Sequence, residues 1–424
     1  MVSHTRYAST RLALITVLVV GALVLWSWPQ ALSPWRAGGI VTGWVGSGLL
    51  LVSLLLMVRE PWLARRLGGL ESMYQWHHLL GVWAYVVLLV HPLLLAANDW
   101  SESPATAWAM LSPWQQGWPV WLGWASLLCM MAGLMVALWP RLRYARWRQL
   151  HHLLSLSVLL GAAHLVVLGL DGVLLLVPLL IIGFLLWRVF RADHGLGARP
   201  YVVERVKRLS QTTVELTLQP LAGAVAKPLG ASPGQFVLAA FFAGPQYQGC
   251  GEYHPYTISA LGEQGSLALG IKALGDCTRQ LQSIRPGAAA RLQGPFGDFL
   301  AGRGSGRSLW LAGGIGITPF IAALRKGPLP QPVHLIYLHR EGGGAPYTQE
   351  LHELAPRQPL LQLQVIDTGD GLPDLGELLP AASELSGLDC YLCGPSALVD
   401  RADRLLRQRG VAAPRIHFER FDFR

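Results

Sequence analysis

Charge is what this sequence has least of. Asp, Glu, Lys and Arg make up 14% of its 424 residues while 52% are hydrophobic, a balance that excludes an ordinary soluble protein and implies a membrane portion. Cysteine is also sparse: five residues, at 129, 250, 277, 390 and 393, odd in number and widely scattered. They fit no disulfide framework, and the half of the chain holding four of them is expected in a reducing compartment. The net charge of +9 comes without an aromatic-interleaved basic patch, which argues against nucleic acid as a partner. Most of that charge is read as topology, with a share left for an anionic dinucleotide.

What the chain has is apolar length. Six runs, roughly 12–28, 39–58, 76–97, 119–139, 150–170 and 173–190, are each long enough, at about 17 to 25 residues, to cross the hydrocarbon core as helices. Arg6 and Arg11 precede the first run, and Arg59, Arg65 and Arg66 separate the second from the third. Arg141, Arg143, Arg146 and Arg148 separate the fourth from the fifth, and Arg188 and Arg191 follow the sixth. Every second connection is basic, so these connections and both termini are expected in the cytoplasm, with Asp99, Glu102 and the Asp171-Gly172 turn outside. A rival reading makes the first run a signal peptide cleaved at Ala31-Leu32-Ser33. The expected architecture is a six-span α-helical bundle over 1–192, multi-pass in the cell (inner) membrane and surrounded by lipid. A cytoplasmic antiparallel β-barrel domain (198–302) and an α/β domain (305–424) follow.

Ionisable side chains within spans are costly and mark function by default. The third run carries His77-His78-Leu79-Leu80-Gly81 and then His91-Pro92; the fifth carries His151-His152 and then His164. His77 to His91 is 14 residues, about 21 Å of helical rise and close to four turns, so both imidazoles face nearly one way. The 13 residues from His151 to His164 rotate the second side chain away from the first, and local distortion or long-reach rotamers are expected there. One such histidine is as easily interhelical glue, but four at matched depth on two helices point to iron ligation.

The second half alternates as strands do. His254-Pro255-Tyr256-Thr257-Ile258-Ser259 offers a cation-capable donor, an aromatic plane and two hydroxyls in extended geometry. Gly275-Asp276-Cys277-Thr278 opens a short helix whose backbone N–H groups favour phosphate, although Thr278 is equally a cap. Gly294-Pro295-Phe296-Gly297 closes the barrel domain. Gly313-Gly314-Ile315-Gly316-Ile317-Thr318-Pro319 follows a buried strand and starts a helix; it is not the GxGxxG fingerprint. Asp389-Cys390-Tyr391-Leu392-Cys393-Gly394-Pro395 contains a CxxC with no second ligand pair, so metal is not expected there.

The HxxxG of His77 to Gly81, the two spaced histidine pairs and these soluble segments in this order resemble the ferric reductase and NADPH oxidase superfamily, in a minimal prokaryotic form with a ferredoxin-reductase-like module. The resemblance implies that His77 and His151 hold an inner haem b and His91 and His164 an outer one. It assigns flavin contacts to His254, Pro255, Tyr256, Thr257 and Ser259, and FAD pyrophosphate to Gly275 and Thr278. Gly313, Gly314, Gly316, Thr318, Pro319, Gly394 and Pro395 are assigned to the dinucleotide, with Cys393 and Glu419 beside the nicotinamide. Phe421 would stack on the flavin, with Phe423 as the alternative. Arg340, after the second strand of the α/β domain, would pair a 2'-phosphate, favouring NADPH over NADH. The implied activity is electron transfer from cytosolic NADPH through FAD and two haems to an outside acceptor. Dioxygen giving superoxide is one acceptor and a ferric chelate another; an electron-relay subunit serving a membrane partner is a third possibility. Dioxygen is the first choice among these, although Leu95, where oxidases often have a polar residue one turn beyond the outer ligand, counts against it. Oligomeric state is not legible.

Overall fold

Uncharged runs of Leu, Val and Trp have no way to satisfy their backbone in lipid except as helices, and helices are what they form. The computed structural model describes residues 2–28, 30, 32–139, 142, 144–169, 172–221, 229–244, 247–301, 306–340, 345–369, 371 and 373–420. Arg141, Arg143, Asp171, Ala31, Phe421 and Phe423, all named above, lie outside these residues. The chain divides into two units, one made of 8–59 and 71–194, the other of 1–7, 60–70 and 195–424.

The first unit is helical. Its elements are α1 (Val2–Trp26), α2 (Pro34–Leu55), α4 (Gly69–Trp100), α5 (Pro104–Leu111), α6 (Trp118–Ala137), α7 (Tyr144–Val167) and α8 (Leu176–Trp187), while α3 (Pro61–Arg66) falls in the second unit. Among the described residues, four helices are long and apolar enough to cross a membrane: Pro34–Val58, Gly69–Trp100, Trp118–Ala137 and Arg146–Val167. The other two expected spans are helical but do not reach that standard. The first offers an apolar stretch of Thr10–Trp26. The last is split into a 3-10 turn (Gly172–Leu175), the 12 residues of α8 and a π turn (Arg188–Asp193). Asp193 at that end receives Arg188 at 3.7 Å and Arg59 at 3.9 Å. Six spans are thus not established by helix length. Trp26, Trp35, Trp100, Trp108 and Trp118 are exposed at helix ends on the side expected outside, as in an interfacial aromatic belt. Trp44, Leu51 and Leu54 of α2 pack on Val158 and Ala162 of α7 and Ile181 and Leu185 of α8. Ser126 and Ser157 each donate to the other's carbonyl at 2.8 Å, joining α6 to α7.

The second unit holds a closed barrel of order β1-β2-β5-β4-β3-β6, antiparallel throughout. Its strands are β1 (Arg199–Arg208), β2 (Thr213–Pro220), β3 (Phe236–Phe241), β4 (His254–Leu261), β5 (Leu267–Lys272) and β6 (Ala289–Phe296), with α9 (Asp276–Gln280) before β6. A parallel sheet follows, order β11-β10-β7-β8-β9, from β7 (Ser308–Gly313), β8 (Val333–His339), β9 (Leu361–Asp367), β10 (Asp389–Gly394) and β11 (Ile416–Arg420). Its helices are α10 (Thr318–Lys326), α11 (Thr348–Leu354), α12 (Leu375–Leu378), α13 (Ala382–Leu385) and α14 (Ser396–Gln408). All six residues of β7 are buried, which is why that stretch reads as an unbroken apolar run, as expected of a strand covered on both faces.

A buried ionic cluster ties barrel to sheet. Arg325, in the last turn of α10, reaches Glu215 of β2 at 2.8 and 3.1 Å and Glu350 of α11 at 2.6 and 2.7 Å. Glu215 also accepts from Ser259 of β4 at 2.5 Å and from Tyr347 at 2.8 Å. Burial alone would raise the Glu215 carboxyl; Arg325, Ser259 and Tyr347 outweigh it and hold it below the usual range. Removing the shared cation as Arg325→Met strands two carboxylates and should cost about 3–5 kcal/mol in denaturant unfolding. Because the folded Glu215 value is depressed, its stabilisation is complete above the unfolded value of about pH 4.3 and fades as pH falls through the lower folded one. Melting curves against pH should therefore show an acid limb that Glu215→Gln flattens.

Candidate functional site

Both membrane histidine pairs lie on uninterrupted helices, His77 and His91 on α4 and His151 and His164 on α7. An imidazole N–H facing a backbone carbonyl must donate, and this fixes the tautomer. His91 places Nδ1 2.6 Å from the Gly39 carbonyl and His164 places Nδ1 2.8 Å from the Pro119 carbonyl. His77 places Nδ1 3.1 Å from the Ser53 carbonyl and 2.8 Å from its hydroxyl. In all three Nε2 is left with its lone pair, the state that metal-ligating histidines adopt when a carbonyl takes the other nitrogen. His151 differs: its Nδ1 is buried without a hydrogen-bond partner, and its ring stacks on Trp147 one turn earlier, centroids 4.7 Å apart. α7 runs unbroken through both residues of the 13-residue spacing. Glycines make room for the rings. A Cβ at Gly43 would stand 3.1 Å from His91 Nδ1, and one at Gly123 would stand 3.2 Å from His164 Nε2. Bare glycine backbone against the rings of His91 and His164, with the Nε2 lone pairs of His77, His91 and His164 left over, fits bis-histidine haem.

In the second unit the ends of parallel strands converge. Gly313 ends β7, Gly314–Ile317 turns as a 3-10 helix, and α10 begins at Thr318 with Pro319 in its first turn. Thr318 Oγ1 donates to the Ile315 carbonyl at 2.9 Å, closing the turn. A Cβ at Gly316 would collide with the Cys393 carbonyl, and Gly394 (φ +156°) brings its backbone against Gly313. Cys393 is buried between Ala312 and Glu419 in register. Burial pushes its thiol well above the usual range and the Glu419 carboxylate adds to that, so it stays neutral. A Cβ at Gly297 would lie 3.4 Å from Glu419 Oε1, so the turn after β6 and the end of β11 come together. Pro395 precedes α14, and Arg340 is exposed just past β8.

On β4, His254 pairs with Ala239 and Thr257 with Phe236. Tyr256 packs among the barrel core residues, edge-on to Phe241 at 6.1 Å, with its hydroxyl buried and unpartnered. Beside His254, Cys250 and Cys277 form a disulfide with Cα atoms 5.6 Å apart.

Residues 42–162 match the family model described as "Ferric reductase like transmembrane component". This segment is similar to ferric-reductase-like transmembrane components. The C-terminal half is similar to the ferredoxin–NAD(P)(+) reductase component of the naphthalene 1,2-dioxygenase/salicylate 5-hydroxylase systems of Ralstonia sp, 29% identical over 46% of this chain and 62% of that one. It is also similar to the toluate 1,2-dioxygenase electron transfer component of Pseudomonas putida, 28% identical over 52% of this chain and 66% of that one. Each alignment thus covers less than two thirds of the relative. Among solved structures, the FAD/NAD binding domain of the nitric oxide dioxygenase of Vibrio cholerae O1 biovar El Tor aligns over 52% of this chain and 97% of that one, with 22% identity and a TM-score of 0.44. The protein joins a ferric-reductase-like membrane domain to a reductase-like module.

Within that module three residues expected at the FAD have surroundings inside the protein. Tyr256 points into the barrel, because alternation along β4 puts it on the same face as core residue Ile258. Ser259, fully buried, donates to Glu215. Thr278 caps α9, accepting from the Leu274 and Gly275 N–H groups at 2.9 and 2.8 Å. Pro255 is partly exposed and Gly275 exposed, while His254 Nε2 lies 3.5 Å from Glu252 Oε2. The disulfide corrects the expectation of unpaired cysteines: 27 residues of sequence hide the approach of the chain before β4 to α9. Glu252 was missed as well, although Cys250, Glu252 and His254 recur at every second position, the period of one face of an extended chain. At the dinucleotide turn, Gly316→Ala should lower stability by about 1–3 kcal/mol in thermal unfolding. Gly275→Ala, where the added Cβ has open space, should stay within about 0.5 kcal/mol.

Proposed function

We propose that this protein of the cell (inner) membrane carries electrons from cytosolic NADPH across the bilayer to dioxygen, giving superoxide, with its soluble module in the cytoplasm. The observation that carries this is the shared tautomer of His77, His91 and His164. Each holds out a neutral Nε2, and with His151 they would bind two b-type haems, His77 with His151 and His91 with His164. Two protein ligands per iron leave no open position, which suits electron transfer over oxygen binding at the metal. When bound, flavin and haem supply the conversion of a two-electron donor into single-electron transfers.

The chain's own residues do the positioning. Gly313, Gly314 and Gly316 let a pyrophosphate approach the backbone at the start of α10, where the helix N-terminus favours negative charge. Cys393, Gly394 and Pro395 line the nicotinamide end with a neutral thiol, Glu419 supplies the nearby acceptor and Phe421 the stacking ring. His254, Pro255 and Thr257 hold the flavin side, and Arg340 pairs the 2'-phosphate that separates NADPH from NADH. The printed names of the two relatives, a ferredoxin–NAD(P)(+) reductase component and an electron transfer component, support a nicotinamide donor. A ferric chelate is the second reading of the acceptor: Leu95, one turn beyond His91, packs its apolar side chain against Gly39 and offers no polar group there.

Superoxide-dismutase-sensitive cytochrome c reduction by purified protein with NADPH and FAD is the expected result; anaerobic ferric chelate reduction without it would transfer the assignment to the reductase. Turnover with neither would favour an electron-relay subunit. His91→Leu should remove one of two haems in a pyridine haemochrome assay and leave NADPH-dependent flavin reduction intact. For the donor, Arg340→Ala should raise KM for NADPH about tenfold, the loss of one charge-assisted contact, and leave KM for NADH unchanged.

A further inference from the structure

We propose that Cys250, Glu252, His254 and Cys277 form a site for one divalent ion of the zinc class, open when the Cys250–Cys277 disulfide is reduced. The ligand atoms of all four lie within 4.8 Å of one another and all four residues are half-buried. Cys250 Sγ is 3.9 Å from His254 Nε2, Cys277 Sγ is 3.7 Å from Glu252 Oε2, and His254 Nε2 is 3.5 Å from Glu252 Oε2. Metal–sulfur bonds of about 2.3 Å and metal–nitrogen or metal–oxygen bonds of about 2.0–2.2 Å give tetrahedral edges of about 3.4–3.8 Å. Three of the six edges are therefore already near the required length, two more lie within 4.8 Å, and the last requires the two sulfurs to separate.

The local chain explains the grouping. Residues 250, 252 and 254 alternate along the stretch entering β4, and Cys277 comes from the first turn of α9. A disulfide that only staples two loops requires neither an imidazole nor a carboxylate directed at its sulfurs; a dithiolate metal site requires both charge balance and further ligands. Two thiolates, one imidazole and one carboxylate select zinc over magnesium or calcium, which prefer oxygen. The chemistry balances with a thiol reductant. Its two thiols give two electrons and two protons to the Cys250–Cys277 bond and leave as a disulfide; metal binding then releases the two cysteine protons.

The test counts metal, so it does not depend on flavin loading or turnover. Full-length protein in detergent is reduced with a phosphine, dialysed against zinc and then against metal-free buffer. The expected result is one equivalent of zinc more than in the Cys250→Ser/Cys277→Ser double variant, released when diamide oxidises the wild type and two titratable thiols disappear. Cobalt in place of zinc should give a thiolate-to-metal absorption band in the reduced wild type only. Equal zinc in wild type and double variant overturns the proposal. If the double variant does not fold, zinc retained in full by wild type after the two thiols are oxidised overturns it equally.

Discussion

A hydrogen-bond donor in hydrocarbon must find an acceptor inside the protein, and in this membrane domain that requirement sets the direction of the histidines. His77 and His91 of α4 both turn Nδ1 to carbonyls of α2, at Ser53 and Gly39. His164 of α7 turns Nδ1 to α6, at Pro119. One interaction type therefore does two things: it ties each histidine-bearing helix to its neighbour, and it leaves Nε2 with its lone pair. The tie between α6 and α7 is doubled by the reciprocal Ser126 and Ser157 bonds, so the ring at His164 is carried on a helix pair already fixed in register. His151 has no such carbonyl, and a flat contact with Trp147 restrains its ring instead.

The soluble module solves a different problem, that of keeping a glycine-rich turn in place when glycine itself contributes no side-chain packing. The solution lies at the two ends of α10. Its N-terminus carries Gly314–Ile317 and Thr318; its last turn carries Arg325, where a cation is favoured by the helix dipole, clamped between Glu215 and Glu350. The buried apolar side of the helix, from Phe320 to Leu324, fills the space between. A displacement of the helix would break charge pairs with partners on both barrel and sheet, which is a steep penalty for a buried guanidinium. The position of the dinucleotide turn is thus held by an ionic contact a whole helix away.

The sequence made the architecture legible where periodicity and chemistry coincide. Long uncharged runs became helices, alternating segments became a six-strand barrel, and the apolar run Leu309–Gly313 became part of a central parallel strand. Spacing was enough to place His77 and His91 on one helix face. What it left hidden depended on partners distant in sequence or on which side of a strand faces in. Tyr256 and Ser259 sit in the expected strand, yet one faces the barrel interior and the other a carboxylate 44 residues earlier. The sixth apolar run is helical, but its final residues wind as a π turn beside Asp193 and its arginines, a local competition between charge and helix that hydropathy does not register.

The cysteines show why spacing alone misleads about reactivity. Cys390 and Cys393 have the CxxC interval that suggests metal or dithiol chemistry, but they occupy one buried strand. Burial, with Asp389 beside it, pushes the Cys390 thiol up to about 12, and Cys393 is held still more firmly in its neutral form. A thiol that does not ionise is neither a good nucleophile nor a good ligand. Cys250 and Cys277 have no recognisable interval, yet they meet at the surface of the barrel with an imidazole and a carboxylate on their sulfurs. Environment, not spacing, separates the two pairs: the CxxC thiols are packed into the buried core on either side of the parallel sheet, whereas the distant pair meets beside an imidazole and a carboxylate.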